Sequence, residues 1–544
     1  MQSDSRRRLL YAVVTFVACA ASQLAGAQTT YWVDDGGNDS NDGLSDQTPW
    51  KHISFAVFQV SSGDTIKILP GTYNVSGNQE VFPIPVPSGV IIMGSASAEA
   101  SWPRLAGDAN NTSTTSILKI DATSSDVTGV GLERLYFVGE NTATKDAPAA
   151  IEVLVSGVHQ VTDSGVTNCK IERSAMNATG AAGKPSILIR VGEGNGTTDF
   201  SIRDTTIYPT RRGGVEVTFE STADYAANAV VTVEDCEFRL SGTDDADFGV
   251  FFGGGTSTTA GGGIRLIQTT IDSRDCTTPS DGIVTGLDIW VNSTDDATVF
   301  FQDCQVVGNL IAGCSGDGVR IRTDIEGDLG QAEILFTEAD EQFFRNTIIC
   351  NAGAGVHLDW NDVSGYILFS GVNNLIAENY YGYWYEDFTE DASGVNVLRS
   401  DTIAYNTSVG IRLDGDFDAG GVPGPNLRNL IVWGNNSGGA QVAGSGQGAS
   451  WNPVNQGGLN YSCWQGLSGN PLQNHNINSN PEFVDQVNGN YDLDGGGSPA
   501  SPCVDKGYTY ASLPRTDIHG EDRTVNGDGQ GGAEVDMGCD EYDP

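Results

Sequence analysis

Apolar and polar positions recur along this chain at a spacing too short for a self-contained domain. The clearest set is Asn346-Thr-Ile-Ile-Cys-Asn351, Asn374-Leu-Ile-Ala-Glu-Asn379, Asp401-Thr-Ile-Ala-Tyr-Asn406 and Asn429-Leu-Ile-Val-Trp-Gly434, whose first residues lie 28, 27 and 28 apart. After each of the first three, a glycine opens a second run: Gly355-Val-His-Leu-Asp359, Gly382-Tyr-Trp-Tyr-Glu386 and Gly410-Ile-Arg-Leu-Asp414. Alternation of period two predicts strands, and one strand pair per short period predicts a coil of a solenoid. A looser version precedes it as Val166–Ile171, Ile202–Ile207, Val233–Phe238, Leu266–Ile271 and Phe301–Val306, with final apolar positions 36, 31, 33 and 35 apart. The longer periods predict longer loops on one edge.

Each such coil exposes backbone donors and acceptors that only the next coil can satisfy. Stacking at about 4.8 Å per step buries a continuous apolar interior. The pattern therefore predicts an all-β chain, a single-stranded right-handed parallel β-helix with an N-terminal cap and an irregular C-terminal cap. The Cys or Thr at the centre of the early motif and the terminal Asn of the late one should each form a ladder. A leucine-rich repeat is excluded, because its periodic Leu frame and helical half-repeat are both missing.

The chain begins with Arg6, Arg7 and Arg8, an apolar run Leu9–Ala21 and the small triplet Ala25-Gly26-Ala27. This order predicts a secretory signal peptide over 1–27, too short in its apolar part to span a bilayer. No second run of spanning length follows, so the expectation is a secreted or surface-exposed protein without a transmembrane segment, and a monomer. The predicted divisions are 28–100 for the N-terminal cap and first coils, 101–440 for the helix proper and 441–544 for the C-terminal cap.

Both ends carry a resemblance. Tyr31-Trp-Val-Asp-Asp-Gly-Gly-Asn-Asp-Ser-Asn-Asp-Gly43, Pro49-Trp-Lys-His-Ile53, Gly63–Tyr73, Phe82-Pro-Ile84 and Pro87–Gly94 resemble the uncharacterised N-terminal β-helix family of the pectate-lyase-like superfamily. The likeness implies a capped first coil with a short helix near Ile53–Val60. Asn460–Gly466, Asn480–Asp485, Gly489–Leu493, Ser498–Asp505 and Asp517–Arg523 through Val535–Tyr542 are similar to the C-terminal cap of choice-of-anchor bacterial surface β-helix proteins. That superfamily includes polysaccharide lyases, glycosidases and adhesins, so the resemblance implies a glycan-related role without choosing a reaction.

Charge narrows the partners. With 28 Lys+Arg against 70 Asp+Glu and a net charge of −42, the chain repels nucleic acid and anionic membranes and suits cations or plain solubility. The cysteines beyond the signal lack CxxC spacing, and Cys169, Cys236, Cys276, Cys304 and Cys350 read as buried small apolar side chains. His52, His159, His357, His475 and His519 have no zinc-like spacing along the chain.

The chemistry-bearing residues follow from the strand period. Counting from Gly286, Gly318, Gly355, Gly382 and Gly410, the second position gives Asp288, Arg320, His357, Trp384 and Arg412; the fourth gives Trp290, Arg322, Asp359, Glu386 and Asp414. These are expected as two exterior, solvent-facing columns. Asp359, Glu386 and Asp414, with Arg322 and Arg412, are the catalytic candidates for a polysaccharide lyase or glycoside hydrolase; Trp290, Arg320, His357 and Trp384 are the substrate-binding candidates. The alternative is an ion-pair ladder in which Arg322 and Arg412 neutralise Asp359 and Asp414.

Calcium is the one cofactor suggested. Asp414, Asp416 and Asp418 are the preferred ligands, ahead of the run Asp34–Asp42 and of Asn526 and Asp528, although none completes a twelve-residue calcium loop. Two functions stay open: binding or processing of extracellular polysaccharide, and a non-catalytic adhesive or structural surface role with calcium-binding acidic loops.

Overall fold

The computed structural model describes residues 28–544 apart from 108–115, 140–148, 174–183, 193–195, 210–211, 220–226, 240–245, 255–259, 273–282, 295–297, 303, 327–330, 337–341, 361–364, 387–395, 416–425, 447–457, 468–473, 511–512 and 531. The short runs stack into a parallel β-solenoid. Among the described residues, three parallel sheets of 16, 13 and 12 strands run along it. One coil takes Val397–Arg399, Thr402–Ala404 and Ile411–Gly415 through the first, second and third sheets. The next coil takes Asn426–Arg428, Ile431–Trp433 and Val442–Gly446 along the same route. The sequence period resolved only two strands per coil. The third belongs to the first sheet, whose late strands Phe343–Phe344, Val397–Arg399 and Asn426–Arg428 are too short to show a period.

Side chains alternating inward from all three sheets make one apolar interior from Val33 to Trp464. Its corners are held by two polar ladders. Between the first and second sheets, Arg345, Asn373 and Ser400 take left-handed φ of 56°, 54° and 53°. The residue after each turns its polar side chain inward. Cys169 N donates to Thr205 Oγ1 (3.3 Å), Cys236 N to Thr269 Oγ1 (3.4 Å), Thr269 N to Asn309 Oδ1 (2.9 Å), Asn309 N to Asn346 Oδ1 (3.2 Å), Asn346 N to Asn374 Oδ1 (3.0 Å) and Asn374 N to Asp401 Oδ1 (2.7 Å). After the second sheet, Asn351, Asn379, Asn406 and Asn435 repeat the device, each amide oxygen accepting the N–H of the coil before. An amide suits this slot because it accepts from one coil and donates to another.

Two repeats are out of step with the sequence reading. Val306 pairs with Leu266 in the first sheet, so Asn309 and not Cys304 takes the ladder slot. Ile403 pairs with Val432, so Asn435 and not Gly434 ends the fourth late repeat. In both cases an altered loop length moved the motif along the chain.

At the N-terminal end the expected helix is the single turn Ile53–Ala56, with Glu80 accepting the N–H groups of Ile53 (2.9 Å) and Ser54 (2.8 Å). In the acidic run before it, Asp34 and Asp42 accept the N–H two residues on, as Asx-type turns do, while Asp39 accepts the more distant N–H groups of Lys51 and His52. Beyond the last coil the chain folds back along the second sheet. Tyr491 donates to Glu378 (2.6 Å), Asn373 Nδ2 to Thr516 O (2.7 Å) and Cys539 N to Thr402 Oγ1 (3.1 Å).

Cys169, Cys236, Cys304 and Cys350 are buried as expected, but Cys350 is disulfide-bonded and so is not a plain small apolar side chain; Cys276 lies outside the described residues. Cys350 stands at a left-handed corner of the coil (φ 58°). No helix among the described residues is long and apolar enough to cross a membrane, and the predicted signal segment lies outside them.

Candidate active site on the third sheet

The third sheet brings the ten singled-out side chains together. Asp288 pairs with Arg320, Arg320 with His357, His357 with Trp384 and Trp384 with Arg412. Beside that column, Trp290 pairs with Arg322, Arg322 with Asp359 and Asp359 with Glu386. Asp414 occupies the corresponding fourth position of the next strand, opposite Ser445. The opening glycine fixes this register. At Gly355 a Cβ would lie 2.6 Å from Ile376 Cγ2 and 2.8 Å from the ladder amide of Asn379, so only glycine lets the coil close here.

The columns face solvent only in part, which corrects the sequence expectation for four of the ten: Trp290, Arg320, Arg322, Trp384, Glu386 and Arg412 are half-buried, and the other four are buried. His357 is 2% exposed, Asp288 and Asp414 7%, and Asp359 8%. Alternation assigns a face of the sheet, but not what lies over it. Buried charges need partners, and the arginines supply them diagonally. Arg320 Nη2 reaches Asp359 Oδ2 on the following coil at 2.8 Å. Arg322 turns back to Asp288 as a fork, Nη2 to Oδ2 at 2.7 Å and Nε to Oδ1 at 3.2 Å. Arg322 therefore neutralises Asp288 and not Asp359, because a bidentate contact forms across that diagonal. Burial still raises the Asp288 pKa above its ordinary value, against the opposing pull of Arg322. Arg412 Nε pairs with Asp414 Oδ2 at 2.5 Å, as the ladder alternative has it. There burial is outweighed by Arg412, Ser445 and Trp384, and the Asp414 pKa is lowered.

The aromatic faces are occupied as well. Trp384 stacks on His357 at 4.0 Å with 5° between planes, carries the Arg412 guanidinium at 5.2 Å, and donates Nε1 to Asp414 Oδ2 at 3.0 Å. The Arg322 guanidinium lies 4.6 Å over Trp290. Asp416 and Asp418, preferred as calcium ligands, and Asp387 after Glu386 lie outside the described residues.

What remains is a hydrogen-bonded chain centred on His357. Nδ1 lies 2.8 Å from Asp317 Oδ2, and Nε2 lies 2.9 Å from Glu386 Oε2. Ionised carboxylates only accept, so with both acids ionised the ring donates from both nitrogens and is an imidazolium. Burial opposes that charge, yet the bonds from Asp317 and Glu386 outweigh it, and the His357 pKa is raised. Glu386 is the outer end of this chain, with its side chain 32% exposed. The donor atoms of His357, Asp359 and Glu386 lie within 4.8 Å of one another and could hold a cation once the ring gave up its proton.

Asp317 was missed by the sequence reading. It sits in the turn before the strand, where its Oδ1 also accepts Ala354 N at 2.7 Å. The available signal was chemical. Among Thr285, Asp317, Ala354, Tyr381 and Val409, which precede the five opening glycines, it is the single acid.

Among solved structures the chain is similar to the pectate lyase Pel9A, at 12% identity over 96% of this chain and 98% of that one, with a TM-score of 0.34. It is also similar to the periplasmic alginate epimerase AlgG, at 14% identity over 75% and 74% with TM-score 0.34. A rhamnogalacturonan lyase matches at 12% identity over 84% and 90% with TM-score 0.30. Likenesses at this level carry no residue-level argument. No curated protein sequence matches. Residues 35–145 match the family described as Protein of unknown function (DUF1565), a match that falls on the N-terminal coils and not on the third-sheet site.

Proposed function

We propose that the third-sheet face from Ile283–Thr294 to Ile411–Gly415 binds and processes an extracellular polysaccharide, with Glu386 as the proton-transferring carboxyl group. The chain Asp317–His357–Glu386 carries the reading, because it holds a proton on a buried imidazole and delivers one end to a half-exposed acid. Asp359, on the neighbouring strand and paired with Arg320, is the second carboxylate that a glycosidic cleavage needs. His357 thereby moves from the substrate-binding to the proton-handling group.

A panel of neutral and uronate-containing glycans, assayed for new reducing ends and for unsaturated ends, tests this. Glu386→Gln should lower turnover by 100-fold or more. Wild-type inactivity across the panel, or an unimpaired Glu386→Gln, refutes it.

The non-catalytic reading is favoured by a specific observation. Asp288, Asp359 and Asp414 each face an arginine, and both tryptophan rings are covered. Under that reading calcium raises the thermal midpoint and no glycan does.

A further inference from the structure

The fold-back segment gathers a second cluster that the polysaccharide reading does not use. Asp492 lies on Asn490–Leu493, His519 in the turn after Asp517, and Asp540 four residues from the end of the sequence. His519 Nε2 is 2.7 Å from Asp492 Oδ1 and 3.8 Å from Asp540 Oδ1, and one donor atom from each residue lies within 4.8 Å of the others.

The scaffold is built from backbone contacts. Asp540 is 6% exposed and its Oδ2 accepts Leu493 N at 2.7 Å, leaving Oδ1 toward the imidazole. Fully buried Asp517 accepts the N–H groups of His519 (2.9 Å), Glu521 (2.8 Å) and Glu541 (3.1 Å), tying the His519 turn to the segment that carries Asp540. Two carboxylates thus face one imidazole, and a third holds the turn that carries it.

We infer that Asp492, His519 and Asp540 form a binding site for a divalent first-row transition ion, with one coordination position left to solvent. One imidazole nitrogen and two carboxylate oxygens are a donor set suited to Zn²⁺, and bonds of about 2.0–2.2 Å require the His519–Asp492 pair to open and the His519–Asp540 pair to close slightly. Asp492 and His519 are half-exposed and can rotate to make these shifts, while Asp540 is fixed. Calcium is disfavoured by the nitrogen donor and by the small number of oxygens. Around His357 the corresponding donors are engaged by Asp317 and Arg320, so that cluster offers no comparable opening. Chain spacing hides the site because its ligands come from three segments.

Equilibrium dialysis of the whole protein against Zn²⁺, with bound metal counted and thermal unfolding followed, tests the inference. Wild type and His357→Gln should take up the ion and gain thermal stability. His519→Gln and Asp492→Asn, both at half-exposed side chains, should bind one equivalent fewer, and a large excess of calcium should not displace the ion. No uptake by wild type, unchanged stoichiometry in His519→Gln, or displacement by calcium overturns it.

Discussion

Asp401 stands in an asparagine ladder, and replacing it with asparagine is the sharpest test of how the solenoid is held together. It is fully buried; Oδ1 accepts the backbone N–H (2.7 Å) and side-chain amide (3.1 Å) of Asn374, and Oδ2 accepts the Tyr383 hydroxyl at 2.9 Å. Burial dominates these bonds and pushes its pKa from 3.8 to about 7. The folded state therefore holds a proton that the unfolded state has released. This residue's contribution is most favourable below pH 3.8, is lost as pH rises toward about 7, and costs its full amount above that. A shift of about three pKa units corresponds to about 4 kcal/mol. Asp401→Asn keeps the Oδ1 acceptor and removes the charge. It should match wild type at about pH 4 and exceed it at about pH 8, by up to about 4 kcal/mol on the same scale. Thermal unfolding of both proteins at the two pH values reads the difference. Other titrating groups cancel unless they couple to position 401, and Tyr383, Tyr385 and Cys539 beside it are all raised far above this range. A gap independent of pH, or a variant less stable than wild type at about pH 8, refutes the reasoning.

Three further outcomes follow from the same geometry. Arg322→Leu leaves Asp288 buried without its fork and should cost about 3–5 kcal/mol in urea unfolding, most of it recovered in Arg322→Leu with Asp288→Leu. Asn379→Ala removes the acceptor of Asn351 N and the donor to Ile348 O, with an expected loss of about 2–5 kcal/mol and local loss of hydrogen-exchange protection in the coils of Asn351 and Asn406. Because the His357 pKa is raised in the folded state, its contribution is full below 6.5 and is lost as pH rises through the folded value. The difference in thermal midpoint between wild type and His357→Gln should accordingly narrow from about pH 6 to about pH 9, and a widening gap would contradict the assignment.

The repeat period, the inward alternation and the glycine that opens each third-sheet strand are local properties, and they determined the solenoid and the stacking of His357 on Trp384 and of Asp359 on Glu386. Composition likewise marked the ladder of central Cys and Thr and that of terminal Asn, whereas the opening Asn346, Asn374 and Asp401 were joined to a ladder only by the structure. Loop length is not local in this sense, so Cys304 and Gly434 were assigned slots that Asn309 and Asn435 occupy. The late first-sheet strands Phe343–Phe344, Val397–Arg399 and Asn426–Arg428 escaped notice because two or three residues show no period. Only the tertiary structure decided which arginine meets which acid, since Arg320 and Arg322 each choose among neighbours about one strand spacing away and the buried diagonal wins. It also decided that His357 lies between Asp317 and Glu386, and that three distant segments converge on His519, because a side chain's partners and its exclusion from water depend on residues that the sequence order does not place beside it.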